Sequence, residues 1–137
     1  MDGSGPHALQ AGQGWVHQFS DLGLDFAVKL GERRHGRRVA IFEYASRAGQ
    51  EPPDHTHATE DEVFYLLSGQ AVFRCGHERF EVSAGGCVFL PRGIEHGYEI
   101  TSAGEVRFLV ITAPAPGGGT PGWDGFVGRF EQREQPR

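Results

Sequence analysis

Residues 55–69, HTHATEDEVFYLLSG, place two histidines and three carboxylates directly before an apolar run. His55 and His57 are two residues apart, so on an extended chain both imidazoles leave the same face and can share one ion. Two surface histidines beside acidic residues are also common in solvated loops, so the pair alone is a weak signal. The apolar run that follows has the length and composition of a β-strand.

A carboxylate on this strand can lie beside the imidazoles, since facing Cβ atoms in a sheet are about 4.5–5.5 Å apart. Glu60, Asp61 and Glu62 are the candidates. Glu62 shares its parity with Phe64 and Leu66, which places it on the predicted inward face. Glu60 shares that parity too, but we expect it in the preceding loop. Spacing alone does not choose among the three.

A third imidazole follows in residues 85–100, GGCVFLPRGIEHGYEI. This stretch predicts a tight turn, a buried strand Cys87–Leu90, a second turn at residues 91–93 and then His96 at the start of another strand. His96 is therefore a candidate ligand. The alternative is a structural histidine with ordinary hydrogen bonds.

Strand-like segments bounded by Gly, Pro or Ser follow one another along the chain, and no helical pattern appears in this region. We predict strands at Leu24–Leu30, Val39–Ala45, Glu62–Leu67, Gln70–Cys75, Arg79–Val82, Cys87–Leu90, His96–Ile100 and Val106–Thr112. Many short antiparallel strands form a sandwich or barrel, so the predicted class is all-β.

Alternation along these strands predicts which side chains face inward. Glu43 and Arg107 are predicted to face outward. The predicted inward aromatic residues include Phe42, Tyr44, Phe73, Phe80 and Phe108. The strand after Glu62 is apolar on both faces, so Val63, Tyr65 and Leu67 also need cover. A second subunit in a homodimer is our preferred explanation, and an internal second layer is the alternative.

The 137 residues fit one domain, and the formal net charge of -5 disfavours nucleic acid and anionic membranes as partners. The chain starts without a basic, apolar leader and has no membrane-length run, so we expect a soluble, cytoplasmic protein. Its two cysteines, Cys75 and Cys87, match neither a metal hook nor a disulfide scaffold. We predict that both are buried apolar side chains.

The predicted organisation is a flexible segment at residues 1–14, a barrel domain at residues 15–113 and a linker and tail at residues 114–137. The tail spaces Trp123, Phe126 and Phe130 on one face of a short helix, which would pack on the barrel or a neighbour, or act as a lid over the pocket. The basic run GERRHGRR at residues 31–38 predicts a solvated hairpin turn, with capture of an acidic partner as the alternative.

The first stretch resembles a conserved motif of the cupin superfamily. That motif consists of Gly, five residues, His-x-His, three or four residues, Glu, six residues and Gly. Gly49, His55, His57, Glu62 and Gly69 meet it at every position. The resemblance implies that Glu62 is the glutamate ligand and that Glu60 and Asp61 are loop charges.

The second stretch resembles the second cupin motif, in which Gly and five residues precede Pro-x-Gly, two residues, His, three residues and Asn. Gly85, Pro91, Gly93 and His96 match, but Ile100 stands where Asn is expected. This departure concerns a turn or strand-end hydrogen bond more than a metal site. The short spacer between the motifs resembles small single-domain microbial cupins of the quercetinase-like type.

The resemblance implies a double-stranded β-helix, or jelly-roll barrel, with one divalent ion per chain held by His55, His57, Glu62 and His96. Three nitrogens and one carboxylate suit Fe, Mn, Ni, Cu or Zn. A six-coordinate ion would keep two positions for water, O₂ or substrate, whereas a tetrahedral zinc would keep none.

An apolar substrate pocket is expected around that ion, lined by Phe42, Tyr44, Phe64, Phe73, Tyr98 and Phe108; the alternative is that these residues are ordinary core. Such a pocket favours small aromatic or apolar ligands. The first functional hypothesis is a metal-dependent dioxygenase in which Glu62 also accepts a proton. The alternatives are a non-redox isomerase, lyase or hydrolase, and a binding or sensing module without turnover.

Overall fold

The computed structural model describes residues 5–19, 23–35, 38–116 and 125–133. Within these ranges the chain forms two helices, α1 (Glu32–His35) and α2 (Phe126–Arg133), and nine strands. The strands are β1 (Trp15–Phe19), β2 (Leu24–Leu30), β3 (Ala40–Ser46), β4 (Glu60–Ser68), β5 (Gln70–Cys75), β6 (Glu78–Ser83), β7 (Cys87–Leu90), β8 (His96–Ile100) and β9 (Val106–Pro114).

All the strand pairs are antiparallel, and they form two sheets. The larger sheet has the order β1-β2-β3-β9-β4-β7 and the smaller one β6-β5-β8. The inward aromatic rings of the two sheets pack on each other, as between Phe64 and Phe73 (centroids 5.2 Å apart) and between Tyr98 and Phe108 (5.1 Å). This arrangement confirms the predicted all-β jelly roll with a short C-terminal helix.

The predicted strands are present with ends that differ by at most about two residues, and β1 is the strand that the sequence did not reveal. In β1 an apolar side chain faces solvent and a polar one faces inward, because Val16 is 62% exposed whereas His17 is buried. The tight turn between β4 and β5 depends on Gly69. Its φ is +82°, and a Cβ there would lie 2.5 Å from the side chain of Val106.

Two predictions about side-chain exposure were wrong. Phe80 was predicted to face inward but is 39% exposed, because β6 is an edge strand of the small sheet and its residues other than Val82 are exposed. Cys87 was predicted to be buried but is exposed, because it lies on the outer face of β7 opposite the exposed Tyr65, whereas Cys75 is buried as predicted.

Residues 5–14 cover part of the outer face beside β2. Lys29 Nζ donates to the carbonyl oxygens of Gln10 (3.1 Å) and Gln13 (2.9 Å), and the N–H of Gly12 donates to Glu43 (3.0 Å). Glu43 is therefore on the predicted outward face but only 3% exposed, with Arg107 2.6 Å away. Alternation predicted the face of Glu43, while its burial depends on a segment without regular structure.

The basic run at residues 31–38 was predicted as a hairpin turn without a helix, but it contains the one-turn helix α1 between the paired strands β2 and β3. Helix α2 docks on α1, and one carboxylate from each helix makes the contacts. Glu131 accepts the N–H groups of Arg33 (2.8 Å) and Arg34 (3.0 Å), and Glu32 accepts the N–H of Gly128. Each helix thus satisfies N-terminal donors of the other.

The predicted aromatic face of the tail is only partly visible, because Trp123 and the side chain of Phe130 lie outside the described residues. Among the described helices, none has the length and apolar character needed to cross a bilayer. The cytoplasmic location stays a prediction.

Candidate metal centre

Three separate parts of the chain bring the predicted ligands together. His55 and His57 lie in the loop between β3 and β4, Glu62 lies on β4 and His96 begins β8. The backbones of His55 and His96 exchange two N–H···O hydrogen bonds of 2.9 Å. One ligand atom from each of the four residues lies within 4.8 Å of all the others. The backbone pairing thus places these two imidazoles side by side, with ring centroids 4.6 Å apart.

The side-chain atoms of this group face a common point. Glu62 Oε1 lies 3.1 Å from His57 Nε2 and 3.0 Å from His96 Nε2. Glu62 Oε1 and His96 Nε2 are nevertheless buried without a partner in hydrogen-bond geometry among the described residues. Leaving such buried groups unsatisfied costs about 1–3 kcal/mol each. A divalent cation fits this donor set of imidazole nitrogens and one carboxylate oxygen.

Further contacts hold two of the rings with Nε2 available to an ion. His55 Nδ1 donates to the carbonyl oxygen of Pro53 at 2.9 Å. His57 Nδ1 lies 3.4 Å from Oε1 of Glu60. Histidines that bind metals commonly donate their other ring N–H to a carbonyl or carboxylate in this way, which fixes the tautomer.

The electrostatics of the site keep a positive charge between its carboxylates. Burial disfavours the charged imidazolium of His57, but the adjacent Glu60 and Glu62 more than offset it and raise the pKa of His57 to about 9. Burial likewise opposes ionisation of Glu62, but His57 and His96 outweigh it and lower the pKa of Glu62 to about 2. A cation bound here would replace the proton on His57.

A cavity of about 540 Å³ opens beside the four candidate ligands. Of the predicted pocket residues, Phe42, Tyr44, Phe64 and Tyr98 line it. Its remaining walls come from Phe26, Pro52, Pro53, Asp54 and Phe126. Phe73 and Phe108 are not among the residues that line this cavity, and each packs against a ring that does, with centroids 5.2 Å apart for Phe64 and Phe73 and for Tyr44 and Phe108. Alternation predicts which face a residue is on, but not how deep it lies.

Two phenols form the main neutral polar feature of the cavity wall. The hydroxyl oxygens of Tyr44 and Tyr98 are 2.8 Å apart. Burial raises the pKa of Tyr98 to about 12 and that of Tyr44 well above its ordinary value. Both therefore stay protonated at neutral pH, and one hydroxyl of the pair can donate to a ligand oxygen.

Among the described residues, no lysine or arginine side chain lines the cavity. Asp54, at the edge of the cavity, is engaged by Arg74, whose Nη2 donates to it at 2.7 Å. The cavity thus offers aromatic surface, two phenols and the histidine and glutamate cluster. That composition suits a largely apolar ligand with an oxygen that can reach a metal ion.

The family model for the cupin domain matches residues 42–112, which include all four candidate ligands. This chain belongs to the cupin family. Its resemblance to a small cupin, first seen in the two spaced motifs, is thereby confirmed.

Similar proteins include members without an assigned role and members linked to oxalate. An uncharacterized protein of Streptomyces coelicolor is 33% identical over 78 residues, 57% of this chain and 72% of that protein. An oxalate-binding protein of Thermotoga maritima is 32% identical over 57 residues, 42% of this chain and 47% of that protein. The solved structure of a predicted oxalate decarboxylase from Thermotoga maritima has a TM-score of 0.69 at 19% identity and covers 80% of this chain and all of that one. At that identity the last match shows the fold alone.

Besides the additional wall residues of the cavity, sequence reasoning missed one residue beside the candidate ligands. Glu60 was expected to be a loop charge, but it is the first residue of β4 and is 1% exposed, with its carboxylate against His57. Asp61 points elsewhere and accepts the N–H of Arg92 at 2.9 Å. The inward parity that Glu60 shares with Glu62 was the available signal.

Proposed function

We propose that this cupin is a mononuclear metal-dependent dioxygenase that acts on a small, largely apolar or aromatic substrate bearing a metal-binding oxygen. The observation that supports this most is the placement of His55, His57, Glu62 and His96 at the wall of an aromatic cavity. When bound, the ion would supply Lewis acidity and one-electron chemistry at that wall.

The residues of this chain would bind and orient the substrate. The faces of Phe42 and Phe64 would fix the plane of an aromatic ring and exclude water. The hydroxyl pair of Tyr44 and Tyr98 would donate to a substrate oxygen. Glu62, besides binding the ion, would accept the proton of an enol or phenol as the substrate enters.

A binding or sensing role for a small dicarboxylate is the second candidate, favoured by the similarity to an oxalate-binding protein. A bound ion could hold such a ligand without any further cationic residue. A cavity of about 540 Å³ is much larger than oxalate needs, however, and its aromatic walls favour a bulkier ligand. Non-redox isomerase or lyase chemistry at the same ion is a third possibility.

Oxygen uptake separates these functions. The metal-free protein is loaded anaerobically with Fe(II), Mn(II) or Ni(II) and then given O₂ with catechols, flavonols or β-diketones. The proposal predicts uptake that is lost in Glu62→Gln. Tight retention of oxalate with no uptake for any metal and substrate would favour the binding role, and turnover with Zn(II) without O₂ would favour a non-redox enzyme.

We also propose that the protein forms a homodimer through the outer face of the large sheet. Tyr65, Leu67 and Phe89 are 40%, 41% and 58% exposed on the neighbouring strands β4 and β7. In a dimer with two-fold symmetry, this apolar patch of one copy would pack against the same patch of the other copy.

A further inference from the structure

Glu60 is a buried carboxylate that connects the candidate metal centre with the C-terminal helix. Its Oε1 accepts the N–H of Phe126 at 2.9 Å and lies 3.4 Å from Nδ1 of His57 and 3.5 Å from Nη2 of Arg129. Phe126 and Arg129 both belong to α2. One oxygen atom therefore contacts a candidate metal ligand on one side and the first turn of a helix on the other.

The partners from α2 matter because Glu60 is only 1% exposed. Its second oxygen, Oε2, is buried without a hydrogen-bond partner among the described residues. A buried carboxylate needs donors or positive charge around it, and α2 supplies one of each. If α2 moved away, the carboxylate would be drawn towards water and its position against His57 would be lost.

The same first turn of α2 closes part of the cavity. The ring of Phe126 lies 5.6 Å from the ring of His57, 6.0 Å from that of Phe42 and 6.3 Å from that of Phe26, measured between centroids. The contacts of α2 with α1, described above, hold the rest of the helix. Phe126 thus forms a wall of the cavity and also donates to the carboxylate that touches His57.

We propose that Glu60 is a positioning residue through which ion binding at His57 and docking of α2 over the cavity stabilise each other. The inference rests on the proposed metal centre. With α2 docked, Glu60 holds Nδ1 of His57 and leaves Nε2 for the ion. With the ion bound, the ring of His57 is fixed, and Glu60 stays in place to accept the N–H of Phe126. Coupling of this kind is reciprocal, so each event strengthens the other by the same factor.

Two substitutions of Phe126 isolate the hydrogen bond from its backbone N–H to Glu60. Phe126→Ala removes the ring and keeps the N–H, whereas Phe126→Pro removes both. Proline is compatible with the first position of a helix, so it takes away the donor without breaking α2. Glu60→Gln removes the charge from the other side of the contact. Glu81→Gln, a carboxylate that is 82% exposed on β6, is the matched control.

Titration calorimetry of the metal-free, full-length proteins with Zn²⁺ and Mn²⁺ measures the affinity. We expect Glu60→Gln to weaken binding by about tenfold, which is typical for a group that orients a ligand. Phe126→Pro should bind about fivefold more weakly than Phe126→Ala, from the loss of one hydrogen bond. Glu81→Gln should bind as the wild type does.

Hydrogen exchange of the α2 amides tests the reciprocal effect. Zn²⁺ should slow exchange at the start of α2 in the wild type and in Glu81→Gln, but not in Glu60→Gln. The inference is overturned if Glu60→Gln and both Phe126 variants bind Zn²⁺ as tightly as the wild type and the ion leaves exchange in α2 unchanged. In that case the metal centre stands. If the wild type binds neither ion, the metal centre itself is wrong and the coupling falls with it.

Discussion

Glu51 fixes the end of β8 by accepting the backbone N–H of Ile100 at 2.9 Å. Its other carboxylate oxygen accepts the N–H of Gly49 at 2.7 Å, so one side chain ties the start of the histidine loop to the strand that carries His96. Ile100 is the position at which the second cupin motif has Asn. In this chain the end of β8 is held by Glu51, which is not one of the defining residues of either motif.

Removing this bridge should destabilise the fold. We expect Glu51→Ala to lower the free energy of unfolding by about 1–2 kcal/mol, because two backbone donors lose their acceptor. Glu51→Gln keeps an acceptor oxygen and should lose less. Urea unfolding at pH 7 measures both, and equal stability of Glu51→Ala and the wild type would show that water replaces the side chain without loss.

The stability contributed by Glu43 should depend on pH. Burial raises the pKa of Glu43, but the hydrogen bonds from Arg107, Gly12 and Lys29 outweigh it and leave the pKa below the ordinary value of 4.5. A carboxyl with a lowered pKa stabilises the fold above its unfolded pKa, and this contribution is lost as the pH falls through the folded pKa. Glu43→Gln should therefore be less stable than the wild type at pH 7, and the difference should shrink at pH 3.

Urea unfolding of both proteins at the two pH values checks this. Glu81→Gln, which changes an exposed carboxylate, should show a much smaller difference from the wild type at either pH. A deficit in Glu43→Gln that is as large at pH 3 as at pH 7 would mean that packing, and not charge, explains it.

Substitutions at Phe73 and Phe42 should separate core from cavity wall. Phe73 is fully buried behind the cavity, so Phe73→Ala should lower the free energy of unfolding by about 3–5 kcal/mol. Phe42 is almost as buried, at 2% exposure, but it lines the cavity, so Phe42→Ala should also weaken binding of an aromatic ligand such as a flavonol to the metal-loaded protein, which Phe73→Ala should do much less. The free energy of unfolding and the affinity for the ligand are measured for both variants. Equal loss of ligand binding in the two variants would contradict the placement of Phe42 at the cavity wall.

The proposed dimer predicts a concentration-dependent mass in analytical ultracentrifugation. Tyr65→Arg places a charge at the centre of the apolar patch and should yield monomers. Phe80→Arg changes an equally exposed aromatic residue on the small sheet and should leave the dimer intact. A wild type that sediments as a monomer at all concentrations, or a dimer that survives Tyr65→Arg and not Phe80→Arg, would place the interface elsewhere.

The sequence predicted the strands and the four converging side chains because both depend on local patterns. Alternation placed Glu62 on the inward face of β4, and the spacing of His55, His57 and His96 matched a known motif. The contact of Glu60 with α2 could not be predicted, because Phe126 lies 66 residues further along the chain and reaches Glu60 only through tertiary packing. The burial of Glu43 was missed for the same reason, since residues 5–14 cover it.

The sequence also did not predict how deeply a side chain is buried or which strands lie at the edge of a sheet. Phe73 and Phe80 have the same inward parity and face each other across β5 and β6. Phe73 lies on the central strand of the small sheet and is fully buried, while Phe80 lies on the edge strand β6 and is 39% exposed. Periodicity describes one strand at a time, whereas exposure depends on the order of strands in the sheet.

Metal content is the most direct test of the account. The wild type, His55→Ala/His96→Ala and His77→Ala, which changes an exposed histidine outside the site, are purified without chelator and analysed for Fe, Mn, Ni, Cu and Zn. We expect about one equivalent of metal per chain in the wild type and in His77→Ala and almost none in the double variant. Equal metal content in all three proteins would contradict the proposed centre.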